Sequence, residues 1–135
     1  MGSAGYSGTS LPEKLGIAQG AEVALVGAPT EVHALLAPLP SGASLDGEPA
    51  TAAVTLFFTT STAELERRIA ELGEAIRPDR SLWVAWPKRA SRVETDVTED
   101  VVRELALPLG LVDNKVCAID ATWSGLRLVW RRELR

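Results

Sequence analysis

The chain has 135 residues, of which 46% are hydrophobic and 24% charged, enough length and apolar content for one soluble globular domain with a real core. Its single Cys, Cys117, excludes an intrachain disulfide, and its single His leaves no Cys/His zinc cluster to assemble, so no metal and a reducing cytoplasm are expected. The net charge of −4 divides into −6 over residues 1–66 and +2 over 67–135, which directs any anionic partner to the second half but falls short of a nucleic-acid footprint.

Residues 1–10 are rich in Gly, Ser and Thr and lack the basic flank and apolar run of a secretory signal. They are expected to be a flexible lead-in to one domain over 11–135. No stretch approaches the roughly 20 apolar residues of a membrane span, so no membrane partner is expected. Ser10-Leu-Pro-Glu13 is a capping box that predicts a short helix to about Leu15, stopped by Gly16. The run Val23-Ala-Leu-Val26 predicts a buried strand over 22–27 that ends in the turn Gly27-Ala-Pro-Thr30. Thr30 is placed to cap a second helix carrying Val32, Leu35 and Leu36, which Pro38 and Pro40 end. Within the loop 41–51, Ser44-Leu-Asp46 is a candidate for a minimal edge strand.

Ala53-Val-Thr-Leu-Phe-Phe58 predicts a second buried strand over 53–59. Ser61 and Glu64 form another capping box, opening a helix over 62–76 with Leu65, Ile69, Leu72 and Ile76 along one face. On its other faces Glu64 with Arg68, and Arg67 with Glu71, are spaced for i, i+4 pairs. Pro78 stops that helix, and Leu82-Trp-Val-Ala-Trp86 predicts a third strand ended by Pro87. After a polar loop with three cations over 88–94, Asp96 and Glu99 are expected to cap a helix carrying Val101, Val102 and Leu105. Two closing strands are predicted at 114–119 and 125–131 around the loop Asp120-Ala-Thr-Trp-Ser-Gly125. The second alternates, with Leu126, Leu128 and Trp130 against Arg127, Val129 and Arg131, as suits an antiparallel strand near the sheet edge.

Alternating strands and helices followed by a strand pair define an α/β class: a three-layer α/β/α sandwich. Its mostly parallel sheet of about five or six strands has an antiparallel C-terminal strand. Strands at 22–27, 53–59, 82–86 and 114–119 should be mutually parallel. The stretch Lys14-Leu-Gly-Ile-Ala-Gln-Gly-Ala-Glu-Val-Ala-Leu-Val-Gly27, the turn Ile76-Arg-Pro-Asp-Arg-Ser-Leu-Trp-Val84 and the closing strand pair together resemble the class I methyltransferase, Rossmann-like fold. In that fold a short helix precedes the first strand and one of the last two strands is antiparallel. The resemblance implies S-adenosylmethionine at an acidic, Gly-rich turn after the first strand, where the backbone must approach the cofactor closely. Here that turn is Leu25-Val-Gly-Ala-Pro29, with one Gly, no acid and a Pro without an N–H donor. The 25 residues 28–52 are also fewer than the about 30 of one βαβ unit, so two strand-helix units of a full enzyme have no room.

A closer resemblance, over nearly the whole chain, is to a family of small bacterial proteins of unknown function, common in actinobacteria, with a truncated fold of this kind. It rests on Gly5-Tyr-Ser-Gly-Thr9, Lys14-Leu-Gly-Ile17, Gly27-Ala-Pro29, Leu82-Trp-Val-Ala-Trp-Pro-Lys88 and Thr95-Asp-Val-Thr-Glu-Asp-Val101, with Val116-Cys-Ala-Ile-Asp120 and Thr122-Trp-Ser-Gly-Leu126. This resemblance implies a family and no activity.

Ligands bind outside the carboxyl ends of strands in open α/β sheets. That end should gather Gly27, Thr30, Thr60, Ser61, Trp86, Lys88, Ser91, Asp120, Trp123 and Ser124 on one rim, fit for a small anionic or aromatic metabolite or a partner protein's side chain. Each has a structural alternative. The two Trp can close the core, Lys88 and Asp120 can pair with each other, and Thr30, Ser61 and Asp96 can serve as N-caps. Lys88, Arg89 and Arg92 form a basic cluster that a solvated loop also explains. His33 is expected at the surface and Cys117 as an inert buried thiol. Arg127, Arg131, Arg132 and Arg135 suit edge protection or a contact surface. The function expected is a non-catalytic binding module without cofactor. The alternatives are a diverged S-adenosylmethionine-dependent methyltransferase with a shortened crevice, and a homodimer joined through the last strand.

Overall fold

A computed structural model describes residues 9–135; the first eight residues of the expected lead-in lie outside them. Ser10 caps α1 (Leu11–Lys14) by accepting the Glu13 N–H, and Gly16 follows at φ +84°, a left-handed backbone that Gly adopts without a Cβ clash. Then come β1 (Val23–Val26), the single turn α2 (Val32–Leu35), β2 (Val54–Phe58), α3 (Thr62–Ala75) and β3 (Ser81–Pro87). A 3₁₀ turn (Arg89–Ser91) leads to α4 (Glu99–Ala106), and the chain closes with β4 (Leu111–Ala118) and β5 (Trp123–Trp130).

The five strands form one sheet in the order β1-β2-β3-β5-β4. β1, β2 and β3 are parallel, and β5 lies antiparallel between β3 and β4, as the alternating order of elements predicts. Side chains alternate across it. Leu82, Val84 and Trp86 of β3, with Phe57, Leu126, Leu128 and Trp130, pack against Leu65, Ile69 and Leu72 of α3 and Val102 of α4. Trp83 and Ala85, with Val54, Leu56 and Phe58, pack against Leu15, Ile17, Val32 and Leu36 on the other face. These are the three layers expected.

Several local expectations are corrected. β4 and β5 are each longer than predicted and pair from Leu111↔Trp130 to Ala118↔Ser124, so the connecting loop shrinks to 119–122 and takes Trp123 and Ser124 into a strand. The Asp120 carboxylate tightens it by accepting the amides of Thr122 (2.9 Å) and Trp123 (2.7 Å), an Asx turn. Thr98, not Asp96, caps α4, through its hydroxyl on the Val101 N–H at 3.2 Å. Thr30 is not the cap of α2: Glu31 holds that position without a side-chain bond. Ser44 makes only an isolated parallel bridge to Glu22. On α3 the pair formed is Arg68 with Glu71, because Glu64 turns back to the Thr59 hydroxyl. β5 is antiparallel and lies near the edge as its alternation suggests, one strand in, with β3 and β4 flanking it.

Candidate functional site

The carboxyl end of β3 opens into a cleft of about 560 Å³. Trp86, Pro87 and Val97 line its apolar base, the turn carrying Lys88, Arg89 and Arg92 forms one wall, and Glu94, Thr95 and Thr98 form the other. A second hollow of about 500 Å³ between Thr60, Ser61 and Asp96 adjoins it, sharing Glu94 and Thr95. The turn holds its shape through Ser91, whose hydroxyl donates to the Lys88 carbonyl at 2.7 Å and accepts the Val93 N–H at 3.2 Å. Arg92 then takes a left-handed backbone at φ +64°, which reverses the chain toward α4.

The far wall is a coil strap over 93–98 fastened to the start of α3. Asp96 accepts the Thr62 N–H on its carboxylate at 2.7 Å and the Thr62 hydroxyl on its backbone carbonyl at 3.0 Å, and Thr95 donates its hydroxyl to the Thr60 carbonyl at 2.7 Å. The Thr62 amide holds the Asp96 carboxyl below its ordinary range, against a smaller opposing effect of desolvation. Ser61 caps the same helix through the Glu64 N–H at 3.1 Å. The amino end of α3 is thus served by two side chains from distant parts of the chain.

Charge in the cleft is one-sided. Lys88 is half-buried and Arg89 and Arg92 are exposed, and among the described residues none of the three has an ion-pair partner. Glu99 is neutralised by Arg103 on its own helix, which leaves Glu94 as the carboxylate facing the three cations.

Of the residues expected on one rim, Trp86, Lys88 and Ser124 line the cleft and Thr60 and Ser61 line the adjoining hollow. Ser91 braces the basic turn from within. Lys88 and Asp120 sit at the same end of the sheet, with the Lys88 N–H on the Thr122 carbonyl at 2.7 Å, but the two make no ion pair. The two indoles are separated by the sheet: Trp86 faces α3 and α4, whereas Trp123, opposite Pro87, packs edge-on against Phe58 on the other face at 5.1 Å. Gly27 and Thr30 are exposed in the turn after β1, away from the cleft. The strap residues Glu94, Thr95 and Val97 were not expected at a site; the one sequence signal for them was the turn of charged residues just before. His33 is exposed on α2, and Cys117 is buried, with burial pushing its thiol pKa up. Among the described residues, no His, Cys, Asp and Glu side chains gather as a metal site requires, and no helix is long and apolar enough to cross a membrane.

No protein-family model matches the chain, and no curated protein matches it in sequence. Among solved structures it is similar to an O-methyltransferase from neocarzinostatin biosynthesis in complex with S-adenosylmethionine and 2-hydroxy-5-methyl naphthoic acid. The TM-score is 0.63 at 14% identity, over 93% of this chain and 53% of that one. An N,N-8-amino-8-demethyl-D-riboflavin dimethyltransferase from Streptomyces davawensis follows at a TM-score of 0.60 and 11% identity, over 82% and 50%. A magnesium protoporphyrin IX methyltransferase from Synechocystis PCC 6803 with bound SAH gives 0.50 and 12%, over 84% and 75%. The fold is methyltransferase-like, and the chain spans about half the length of the first two enzymes.

The turn where such a fold would hold S-adenosylmethionine does not fit it. A Cβ on Gly27 would stand 2.7 Å from the Phe58 carbonyl oxygen, so this glycine serves a close approach to β2 rather than leaving room for a bound molecule. Pro29 offers no amide, and its carbonyl is taken by the Val32 N–H at 3.1 Å.

Proposed function

We propose that the chain is a non-catalytic, cytoplasmic binding module on a methyltransferase-like fold, and that its ligand is a small aromatic or apolar carboxylate held in the cleft beneath the basic turn. The observation that supports this reading is the set of three cations, Lys88, Arg89 and Arg92, facing Glu94 as the one carboxylate of the cleft not paired within its own helix, over a base made by Trp86 and Val97. A cleft of this size suits a metabolite-sized molecule, whose ring would lie on the apolar base while its carboxylate meets the cations. On the same reading the chain is a shortened member of the small actinobacterial family it resembles, with the segment 28–52 in place of two strand-helix units. The single bridge from Ser44 to Glu22 at the outer side of β1 supports that shortening.

Titration of the isotope-labelled chain with salicylate, followed by amide resonances, tests the proposal. Saturable shifts are expected over 86–99 and at Ser124. Lys88→Ala should weaken binding about tenfold, the loss of one charge-assisted hydrogen bond. S-adenosylmethionine is expected to leave 27–30 unshifted. Micromolar binding of it there would support the diverged methyltransferase instead, and shifts that never saturate with salicylate would overturn the proposal.

A further inference from the structure

The face of the sheet opposite the cleft carries a second group of cations that form no ion pair among the described residues. In the register of β4 with β5, Lys115 stands directly opposite Arg127. Directly opposed residues of antiparallel strands project from the same face at close range, and like charges there are destabilising. Lys115 is exposed, and its Nζ donates to the Lys14 carbonyl at 2.7 Å, which brings the end of α1 to the same place.

Arg127 is the centre of this group. It is half-buried, with Trp83 opposite it on β3 and Lys115 on β4, and among the described residues no hydrogen bond or ion pair reaches its guanidinium. Its cationic form is disfavoured by burial first and by Arg135 second. Arg135 is held over the end of β5 by its Nε on the Trp130 carbonyl at 2.8 Å. Protection of a sheet edge does not account for Arg127, because β5 is paired on both sides. A guanidinium has five N–H donors in a planar fork. Without a protein acceptor these donors are left to water on the exposed side of the half-buried group, and beside like charges an anion would satisfy them better.

We propose that Arg127, with Lys115 and Arg135 beside it, binds a multiply charged oxyanion, the phosphate or dicarboxylate group of a small molecule, through a bidentate contact to the guanidinium. Several converging cations favour such a group over a single carboxylate. The site lies across the sheet from the cleft and stands whether or not the cleft binds a ligand.

The full chain is titrated at constant ionic strength with inorganic pyrophosphate and, separately, with malonate, while the Arg127 Nε–H resonance and the Lys115 and Arg127 amides are followed. The expected result is saturable shifts at these positions and a raised Tm with at least one anion. Pyrophosphate alone would identify a phosphate ligand and malonate alone a dicarboxylate. Arg127→Gln should weaken binding by about tenfold or more. It should not lower the unfolding temperature of the free protein, since it removes a like-charge pair. Arg127→Lys keeps the charge and loses the fork, and should also bind more weakly. The proposal is overturned if the shifts grow linearly and spread over the cations of both faces, if none occur, or if Arg127→Gln binds as tightly as the wild type.

Discussion

One face of the sheet is covered by the 14 residues of α3 and the 8 of α4, the other by two four-residue turns, α1 and α2, and the coil around them. Each face is fastened by an indole. Trp130 donates to the Gly73 carbonyl at 2.8 Å, in the last turn of a long helix, and Trp83 donates to the Leu15 carbonyl at 3.0 Å, at the end of a short one. Both carbonyls are reachable because a helix ends there, and the settings differ in the length of helix behind them. Gly73 lies in the last turn of α3, where its carbonyl also takes the Ile76 N–H at 3.3 Å. The last carbonyls of a helix have no partner within it, so α1 supplies an acceptor simply by ending. Where helix is scarce, a face is closed by tying coil to the sheet through such ends, and it leaves charged residues such as Arg127 part-covered.

If that contrast is right, the coil-covered face depends on few residues. Trp83→Ala should be the most damaging single change, costing about 3–5 kcal/mol in denaturant unfolding, because the fully buried ring fills the space under α1 and carries its tether. Trp83→Phe keeps much of the ring and orphans the Leu15 carbonyl, so about 1–2 kcal/mol is expected. Equal losses from the two variants would mean that the tether, and not the packing, holds that face.

On the helix-covered face the opposite kind of change should help. Thr55 is fully buried in β2 between Ala24 and Leu82, and its hydroxyl is the buried side-chain polar atom without a partner among the described residues. Thr55→Val keeps the shape and removes the orphan, and should stabilise the chain by about 1 kcal/mol, read as a raised Tm. A loss of stability would show that the hydroxyl finds water there, and hence that this face is less tightly closed than its helices suggest.

The smallest effect concerns the strap at the cleft. Asp96 has a carboxyl pKa below that of the unfolded chain, chiefly through the Thr62 amide, so its contribution is present above the unfolded value and disappears as pH falls through the folded one. The stability difference between wild type and Asp96→Asn should therefore be greater at neutral pH than in acid. A difference that does not change across the carboxylate range would mean the strap is held by Thr95 and the backbone alone.

The sequence makes legible those parts whose signals are local. The apolar runs at β1, β2 and β3 and the three- and four-residue spacing of Leu65, Ile69, Leu72 and Ile76 identify the central elements, and the alternation of Leu126 to Arg131 identifies the faces of β5. What escapes is set by contacts between distant residues. Asp96 caps α3 at Thr62, 34 residues away, rather than its own helix. Trp86 and Trp123 look like a pair until the register of β3 with β5 puts them on opposite faces. The cations of the cleft stand out as a cluster, but its other wall is coil, and coil acquires a place only through the groups that fasten it.

The two outer edges of the sheet are unlike. Along β1 the segment after α2 exchanges backbone bonds with the strand, from Val23 N–H to the Ser44 carbonyl, Ser44 N–H to the Ala21 carbonyl and Gly47 N–H to the Val23 carbonyl, so that side is already spoken for. Along β4 the outer side has no strand partner among the described residues and is interrupted at the irregularity between Asp113 and Lys115. For strand-to-strand association the described residues therefore offer a valence of one. Two copies meeting along β4 would use up the open edge that each shows among them, so growth by sheet extension would end at a closed pair.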